Sequence, residues 1–377
     1  MLHPKAGFYA EVVLRPEEGL HRNVCFEIGY ATKGICGFDS AAEIAQNGDR
    51  YRDMNATAQS TDGLKVPAIA TIDGVEDCSV VLNGVRWRYL HAGSGPSLLV
   101  VHGFMGYSFS WRFVIKGLAE HYSVYAVDLP GTGFSERNDT LPGTLVSDAE
   151  HLSAFVDHFG IEQFDVLGTS RGGGATIALA GLMAERGMLH RIRRVVLSAP
   201  INPWSRAGML RVRALRTRGG RIYVVHLAKR FPFILKDFFH DLYADPASIP
   251  HDSFDGYQAG LDTPGSFHHV WNILRSWTND LKRVEDVLPL VESVPALLLW
   301  GERDRAVDPR SMHELHRHWK NSAELVMKGI GHMPYEEVPD EFNRIVLDFL
   351  LRNTPATPLE PEKQDAIVQP SMESGRA

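Results

Sequence analysis

This chain of 377 residues has few cysteines, no long apolar run and no excess of basic over acidic residues. Its three cysteines, Cys25, Cys36 and Cys78, include no C-x-x-C pair and are too few for a disulfide framework, which favours reduced thiols in a cytoplasmic protein. The sequence contains no run of about 18 apolar residues, so no transmembrane helix is predicted. The N-terminal stretch MLHPKAGFYAEVVLRPEEGL lacks the apolar core of a signal peptide. The net charge of −7 gives no reason to expect nucleic-acid binding.

Regular periodicity is also missing from both ends of the chain. Residues 1–75 are rich in Gly, Ala, Asp, Asn and Ser, and we interpret them as a poorly ordered N-terminal extension. Residues 353–377 are polar and proline-rich, which predicts a disordered tail. The folded part of the protein is therefore expected between these two segments.

In that central part, short apolar runs alternate with helical patterns. Strands are predicted at Val85–Ala92, Ser97–His102, Tyr122–Leu129, Phe164–Leu167, Arg194–Ser198, Pro295–Trp300 and Ala323–Met327. This alternation indicates an α/β fold with a mostly parallel central sheet flanked by helices. In such a fold the functional groups are expected at the carboxyl ends of the strands.

One stretch interrupts the alternation. Residues 203–285 have helical character without a buried strand, so we predict a helical cap inserted into a core of residues 76–202 and 286–352. Residues 203–236 hold nine Lys and Arg and no Asp or Glu. They could form a solvated basic face, a weak contact with an anionic membrane surface, or a charge that attracts acidic substrates. Phe231, Phe233 and Leu235 are expected to line a pocket or to seat a mobile cap.

The stretch FDVLGTSRGGGATIALAG (164–181) runs from a strand pattern into a helix pattern around Ser170. It matches neither phosphate-binding pattern, because it has no Gly-Lys-Ser/Thr ending and no G-x-G-x-x-G. It does contain G-x-S-x-G, in which a serine on a tight strand-to-helix turn presents its hydroxyl at the sheet edge. Larger side chains at positions 168 and 172 would collide there, so Ser170 is the candidate nucleophile.

A serine hydroxyl needs a base to remove its proton, and the base needs an acid to fix its tautomer. His332, flanked by glycines in GIGHMPYEEVP after the last predicted strand, is the candidate base. Asp304, four residues beyond the strand ending at Trp300, is the favoured acid. Asp308 is its rival, but it precedes a proline and is better suited to capping the next helix.

Acyl transfer also builds an oxyanion, which two backbone N–H groups could stabilise. The residue after the nucleophile, Arg171, supplies one candidate N–H at a helix N-terminus. Phe104, in the VVHGFMG loop after the first central strand, supplies the other. His102 is expected to order this loop. Asp128 lies at a strand end and is expected to form the turn in DLPG, with binding near the active site as the alternative.

HELHRH (313–318) superficially suggests a metal site. Its first two histidines are three residues apart, whereas H-E-x-x-H requires four, so an exposed helix face is the better interpretation. The sequence therefore predicts neither a metal site nor a cofactor, and it predicts no oligomeric state.

Together these motifs resemble the α/β-hydrolase family. They are HGFMG (102–106), DLPGTGFS (128–135), the serine turn, WGERD (300–304) and GIGHMPYEEVP (329–339), in the family's order. SFSWR and DLPGTGFS resemble the branch that contains epoxide hydrolases and haloalkane dehalogenases. Those enzymes use Asp as nucleophile where this chain has Ser170, which favours acyl transfer to water.

We therefore expect a serine hydrolase that cleaves a carboxylic ester of a small or lipid-like acyl substrate. A C–C bond hydrolase acting on a vinylogous diketone acid and a cofactor-free perhydrolase remain alternatives with the same triad. A non-catalytic binding protein of the same fold is an alternative of another class. Binding alone does not require a base aligned with a serine, so an intact triad disfavours that alternative.

Overall fold

The computed structural model describes residues 72–138, 140–228, 230 and 232–352, with the side chains of residues 232–234 excluded. The predicted disorder of residues 1–71 and 353–377 lies outside the described residues, as do the predicted roles of Phe231 and Phe233.

The described strands form one sheet with the order β1-β2-β4-β3-β5-β6-β7-β8. They are β1 (Val75–Leu82), β2 (Val85–Ala92), β3 (Ser97–Val101), β4 (Ser123–Val127), β5 (Phe164–Thr169), β6 (Ile192–Ser198), β7 (Ala296–Gly301) and β8 (Ser322–Met327). Strand β2 pairs antiparallel with both β1 and β4, and the remaining pairs are parallel. The predicted mostly parallel sheet is confirmed. Strand β1 was not predicted: its first residue, Val75, falls in the predicted extension, and residues 76–82 fall in the predicted core without a strand having been assigned there.

Helices cover both faces of the sheet. They are α1 (Ile115–Ala119), α2 (Leu145–His158), α3 (Ser170–Glu185), α4 (Met209–Leu215), α5 (Arg218–Ile222), α6 (Pro232–His240), α7 (Ser253–Asp262), α8 (Ser266–Val291), α9 (Ser311–His318), α10 (Pro334–Glu337) and α11 (Pro339–Leu350). A π-helical turn, Tyr223–Leu227, follows α5. One buried cluster packs α2, α3 and the end of α8 on one face, and a second packs α1 and α11 on the other. The central sheet is therefore covered on both sides.

Helices α4 to α8 leave the sheet after β6 and return at β7, where the insertion was predicted. The predicted boundary between residues 285 and 286 falls inside α8 and needs correction. Val284, Val287 and Leu288 of this helix are fully buried in the core cluster with α2 and α3. A Cβ added at Gly181 of α3 would overlap the side chain of Val287, so helix α8 approaches α3 closely. The second half of α8 is therefore part of the core.

Helices α4 and α5 differ from helices α6 to α8 because they contain no buried residue. The chain regains buried contacts at Val224 and Ala228, which pack with Val270 and Leu274 of α8. The stretch from α4 to the π-helical turn is thus held mainly by one side of its short helices. Its predicted mobility remains a prediction. Within the described ranges, no helix is both long and apolar enough to cross a membrane.

Candidate active site

Ser170 begins α3 directly after the last residue of β5. Its φ of 51° is a left-handed backbone conformation, which costs a residue with a side chain about 1–3 kcal/mol. A Cβ on Gly172 would overlap the carbonyl oxygens of Val101 and His102, and one on Gly168 would overlap the backbone of Gly172. The collision predicted at positions 168 and 172 is therefore confirmed. Both glycines let strand and helix approach closely enough to form the turn.

His332 and Asp304 are brought together from two different loops. The Nδ1 atom of His332 lies 2.7 Å from Oδ2 of Asp304, and both side chains are buried. The other carboxylate oxygen, Oδ1, accepts the N–H groups of Ala306 at 2.7 Å and Val307 at 2.9 Å. These two bonds fix the rotation of the carboxylate, so Oδ2 faces the imidazole. With Nδ1 donating to Asp304, the Nε2 atom of His332 is the ring nitrogen free to accept a proton.

The rival acid points elsewhere. Asp308 forms an ion pair with Arg310 at 2.8 Å, and this pair lowers the pKa of the Asp308 carboxyl group. Its Oδ1 also accepts the backbone N–H of Arg310 at 3.0 Å. Helix α9 begins at Ser311 with Arg310 as its N-cap residue. Asp308 therefore closes the preceding turn, and the prediction that it caps this helix is wrong.

The loop after β3 carries the first oxyanion candidate. The Gly106 N–H donates to the Gly103 carbonyl at 3.1 Å, which closes a tight turn around Phe104. The Nδ1 of His102 contacts the same carbonyl at 2.9 Å, and its Nε2 accepts the Leu129 N–H at 3.2 Å. Burial lowers the pKa of His102, in keeping with a neutral ring that donates through one nitrogen and accepts through the other. His102 thus orders the loop, as expected.

The second oxyanion candidate is the N–H of Arg171, in the first turn of α3. Backbone N–H groups in a first helical turn have no partner within the helix and remain available. The Arg171 side chain is buried and turned away into the core. Its guanidinium donates to Asp148 at 2.6 Å and to the Gly143 carbonyl at 2.8 Å. This ion pair ties the start of α3, and hence the serine turn, to α2. The oxyanion role of Phe104 and Arg171 stays a prediction.

A buried carboxylate that the sequence analysis overlooked lies four residues after His332. Glu336 accepts bonds from Arg112 at 2.8 and 2.9 Å, Tyr243 at 2.7 Å, Tyr257 at 2.5 Å and Ser253 at 2.9 Å. Arg112 follows the loop after β3, whereas the three hydroxyl groups come from the insertion. This network therefore joins the insertion to the core. Its only sequence signal was the acidic pair in GIGHMPYEEVP, because the partners are far apart in the chain.

We expect that replacing Arg112 with glutamine lowers the free energy of unfolding by about 3–5 kcal/mol. The change leaves the buried Glu336 charge without its cation, and breaking a buried pair costs that much. Chemical denaturation of purified protein measures the loss. Arg186→Gln is the matched control, because its pair with Glu150 at 2.6 Å is exposed and contributes at most about 1 kcal/mol. Equal losses in the two variants would contradict a structural role for the buried pair.

The neighbouring Glu337 connects the insertion to the histidine loop itself. Its two carboxylate oxygens accept the N–H groups of Gly331 at 2.9 Å and Ala244 at 3.0 Å. The His332 N–H donates to the carbonyl of Leu242 at 2.7 Å. The insertion therefore holds the backbone of His332 directly. Any opening of the cap that preserves this geometry must occur elsewhere, and helices α4 and α5 are the less anchored part.

Ser170 and His332 line one cavity of about 600 Å³. Most of its wall is apolar and comes from the insertion, including Val212, Leu215, Leu235, Phe238, Phe254 and Trp277. Leu235 thus lines the pocket, as expected. The charged lining groups are Arg206, Arg211, Asp241 and Arg305, and Arg211 pairs with Asp241 at 2.8 Å. The cavity can therefore enclose an apolar group next to the serine.

The histidines of HELHRH do not converge. His313 contacts Glu324, and His316 contacts the Ser322 hydroxyl group, both at 2.8 Å. His318 contacts the carbonyl of Glu314 within its own helix. No group of three or more His, Cys, Asp or Glu side chains could hold a metal ion in the part of the chain that the structure describes.

Asp128 forms the expected turn. Its carboxylate accepts the N–H groups of Ser108 at 2.8 Å and Phe134 at 2.9 Å, and Arg88 lies 3.2 Å away. These bonds join the DLPG turn to the segment that follows the Phe104 loop. Asp128 therefore shapes the loops around the site and is fully buried away from the cavity lining.

The fold is a mostly parallel α/β sheet with a serine on a tight turn at the carboxyl end of β5. A model of the alpha/beta hydrolase family matches residues 98–345, which is more than half of the chain. The chain belongs to this family.

Several known proteins are similar to this chain. A hydrolase of Bacillus subtilis named YugF, described as uncharacterized, is 25% identical over 290 residues, covering 74% of this chain and 96% of the relative. Haloalkane dehalogenase 2 of Mycobacterium bovis is 24% identical, covering 70% and 91%, which supports the resemblance to that branch. The 2-hydroxy-6-oxo-6-phenylhexa-2,4-dienoate hydrolase of Rhodococcus sp. strain RHA1 superimposes with a TM-score of 0.63 at 22% identity, covering 74% and 99%.

Proposed function

We propose that this protein is a cytoplasmic serine hydrolase that cleaves carboxylic esters with apolar acyl groups through an acyl-enzyme. The observation that carries the proposal is the shared cavity of Ser170 and His332, with His332 hydrogen-bonded to a rotationally fixed Asp304. The left-handed backbone conformation of Ser170 also supports a catalytic role, because residues with side chains in this conformation concentrate at functional sites.

In the proposed mechanism, Oγ of Ser170 attacks the acyl carbon while Nε2 of His332 takes the hydroxyl proton. Asp304 stabilises the resulting imidazolium through Nδ1. The negative charge on the former carbonyl oxygen is stabilised by the N–H groups of Phe104 and Arg171. His332 then protonates the leaving alcohol. Water, activated by the same nitrogen, attacks the acyl-enzyme, releases the acid and restores the serine.

The substrate class is argued from the cavity wall. Aliphatic and aromatic side chains dominate the lining near Ser170, and each buried methylene group contributes about 0.8 kcal/mol to binding. The polar lining groups, Gln258, Arg206 and Arg305 among them, are fewer and suit the alcohol or headgroup side of an ester. The proposed substrate is therefore an ester whose acyl chain is longer than acetyl.

A series of p-nitrophenyl esters with growing acyl chains tests this substrate class. We expect kcat/KM to rise about fourfold per added methylene group until the chain fills the cavity, as the transfer free energy implies. The values are compared with those of Leu274→Ala, a variant that shortens a side chain of the apolar wall and so enlarges the cavity. That variant should move the optimum to longer chains.

The same assay separates the alternative chemistries. A vinylogous diketone acid is offered in parallel, because a C–C hydrolase with this triad would cleave it. Cleavage of that acid without hydrolysis of any ester would contradict the proposal. A flat response across all chain lengths would contradict the acyl pocket while leaving ester hydrolysis intact.

A further inference from the structure

The outer surface of residues 210–227 combines exposed aliphatic groups with unpaired positive charge. We call this surface the arginine face. It consists of the exposed side chains of Leu210, Arg213, Arg216, Arg218, Arg221, Ile222 and Leu227. These residues come from α4, α5 and the π-helical turn, and all of them are exposed to solvent. No part of the proposed catalytic chemistry requires this composition.

The aliphatic members are unusually exposed. Leu210 is 78% exposed, Ile222 is 56% exposed and Leu227 is 38% exposed. Single exposed aliphatic residues are normal, but three within one short segment need an explanation. The exposure is not a failure of local packing, since Val212, Leu215 and Val224 of the same segment face inward. The segment thus has two apolar sides, one of which covers the cavity.

The charge on this face has one sign. Residues 203–236 contain nine Lys and Arg and no acidic residue, although the whole chain carries a net charge of −7. Arg211 pairs with Asp241, and Arg216 donates to the hydroxyl group of Thr278. Arg213, Arg218 and Arg221 form no ion pair with any carboxylate among the described residues. Local positive charge is therefore uncompensated where the aliphatic groups are exposed.

A second cavity extends this charge beyond the segment. It measures about 520 Å³ and lies at the start of α8, with Arg221 of the arginine face on one wall. Arg137, Arg275 and His268 also line it, and no acidic residue does so within the described ranges. An anionic group in contact with the arginine face would thus meet further positive charge in the cavity beside Arg221.

From these observations we propose that the arginine face docks on an anionic lipid bilayer. Arginine side chains would contact the phosphate groups, while Leu210, Ile222 and Leu227 would enter the boundary between headgroups and acyl chains. Because Leu210 and Val212 of α4 also line the cavity of Ser170, docking would bring the cavity roof to the lipid surface. The bilayer is favoured over a soluble polyanion because a polyanion offers nothing to the aliphatic groups.

Vesicle co-sedimentation of the full-length protein tests the proposal independently of catalysis. Vesicles of phosphatidylcholine alone are compared with vesicles that also contain phosphatidylglycerol. We expect binding to the anionic vesicles only, and we expect added salt to weaken it. Arg213→Gln combined with Arg218→Gln should lower the partition coefficient about 30-fold, since each basic residue near the surface contributes about 1 kcal/mol. Ile222→Ser combined with Leu227→Ser should lower it about tenfold or more.

Matched controls come from exposed residues elsewhere. Arg317→Gln with Arg344→Gln removes two exposed arginines, and Val146→Ser with Val326→Ser removes two exposed aliphatic groups. Circular dichroism verifies folding, and p-nitrophenyl ester hydrolysis in solution should be unchanged in every variant. The proposal is overturned if the wild type ignores anionic vesicles, binds both vesicles equally, or loses as much binding in the controls. It is also overturned if the face variants alter only self-association in sedimentation velocity, which would indicate a second copy as the occupant.

Discussion

Replacing Ser170 with alanine should lower the turnover of an aryl ester by about 10⁴- to 10⁶-fold while the protein remains folded. The reason is that the alanine variant lacks the nucleophile but keeps the strand-to-helix turn. Gly168 and Gly172, which allow the close approach, are unchanged. Turnover is measured with a purified variant under saturating substrate, and circular dichroism verifies the fold.

Ser110→Ala is the matched control, because Ser110 is a second serine that lines the same cavity. Its hydroxyl lies 3.0 Å from the hydroxyl oxygen of Tyr257, to which it donates because the Tyr257 proton is donated to Glu336. It has no base beside it in the proposed mechanism. We expect it to retain most of the wild-type turnover. Comparable losses in both variants would indicate damage to the cavity and would remove Ser170 from the role of nucleophile.

Asp304→Asn should lower turnover by about 10³- to 10⁴-fold through loss of tautomer control. In the native site Oδ1 accepts two backbone N–H groups and Oδ2 accepts from His332. An asparagine at position 304 keeps its oxygen on the two N–H groups and therefore turns its NH₂ group toward His332. Nδ1 must then accept, so the proton moves to Nε2 and the base is lost. The change should reduce kcat much more than it alters KM.

Asp308→Asn provides the comparison for the acid. Its partner is the exposed Arg310, so its replacement should change turnover by less than about threefold, as expected for a surface pair. If Asp308→Asn were the more damaging substitution, Asp308 would be the functional acid. The hydrogen bond between Asp304 and His332 would then be structural only.

The sequence was sufficient to predict features that depend on local pattern. Short continuous apolar runs such as Ser97–His102 and Phe164–Leu167 alternate with helical patterns along the chain. They predicted the parallel sheet, since strands buried on both faces are apolar throughout. Glycines beside Ser170 predicted a turn that tolerates no larger side chain. In both cases a short segment contains the whole physical constraint.

The first hairpin shows how a local signal was missed. Strand β1 joins β2 through Asn83 and Gly84, with φ values of 52° and 76°. An Asn-Gly pair between two strands is a strong hairpin signal. In the preceding strand Cys78, Val80 and Leu82 pack on the core, but the opposite face includes the exposed Val81, so the alternation of apolar and polar residues is weak. The turn chemistry, and not the periodicity, would have identified this strand.

Long-range polar contacts could not be predicted at all. Glu336 and Arg112 are 224 residues apart, and nothing in either local sequence specifies the other. The same is true of Glu337, which joins the backbones of Gly331 and Ala244. These carboxylates meet their hydrogen-bond partners only after the insertion has folded onto the core. Their partners therefore follow from tertiary structure and not from spacing.

The most direct test of the central claim is covalent trapping of the serine. The wild-type protein is treated with a fluorophosphonate probe, and intact mass and peptide mapping locate the adduct. The account predicts one adduct, on Ser170, which is absent in Ser170→Ala and strongly slowed in Asp304→Asn. A folded wild-type protein that hydrolyses esters but forms no adduct, or forms it on another residue, would contradict the account.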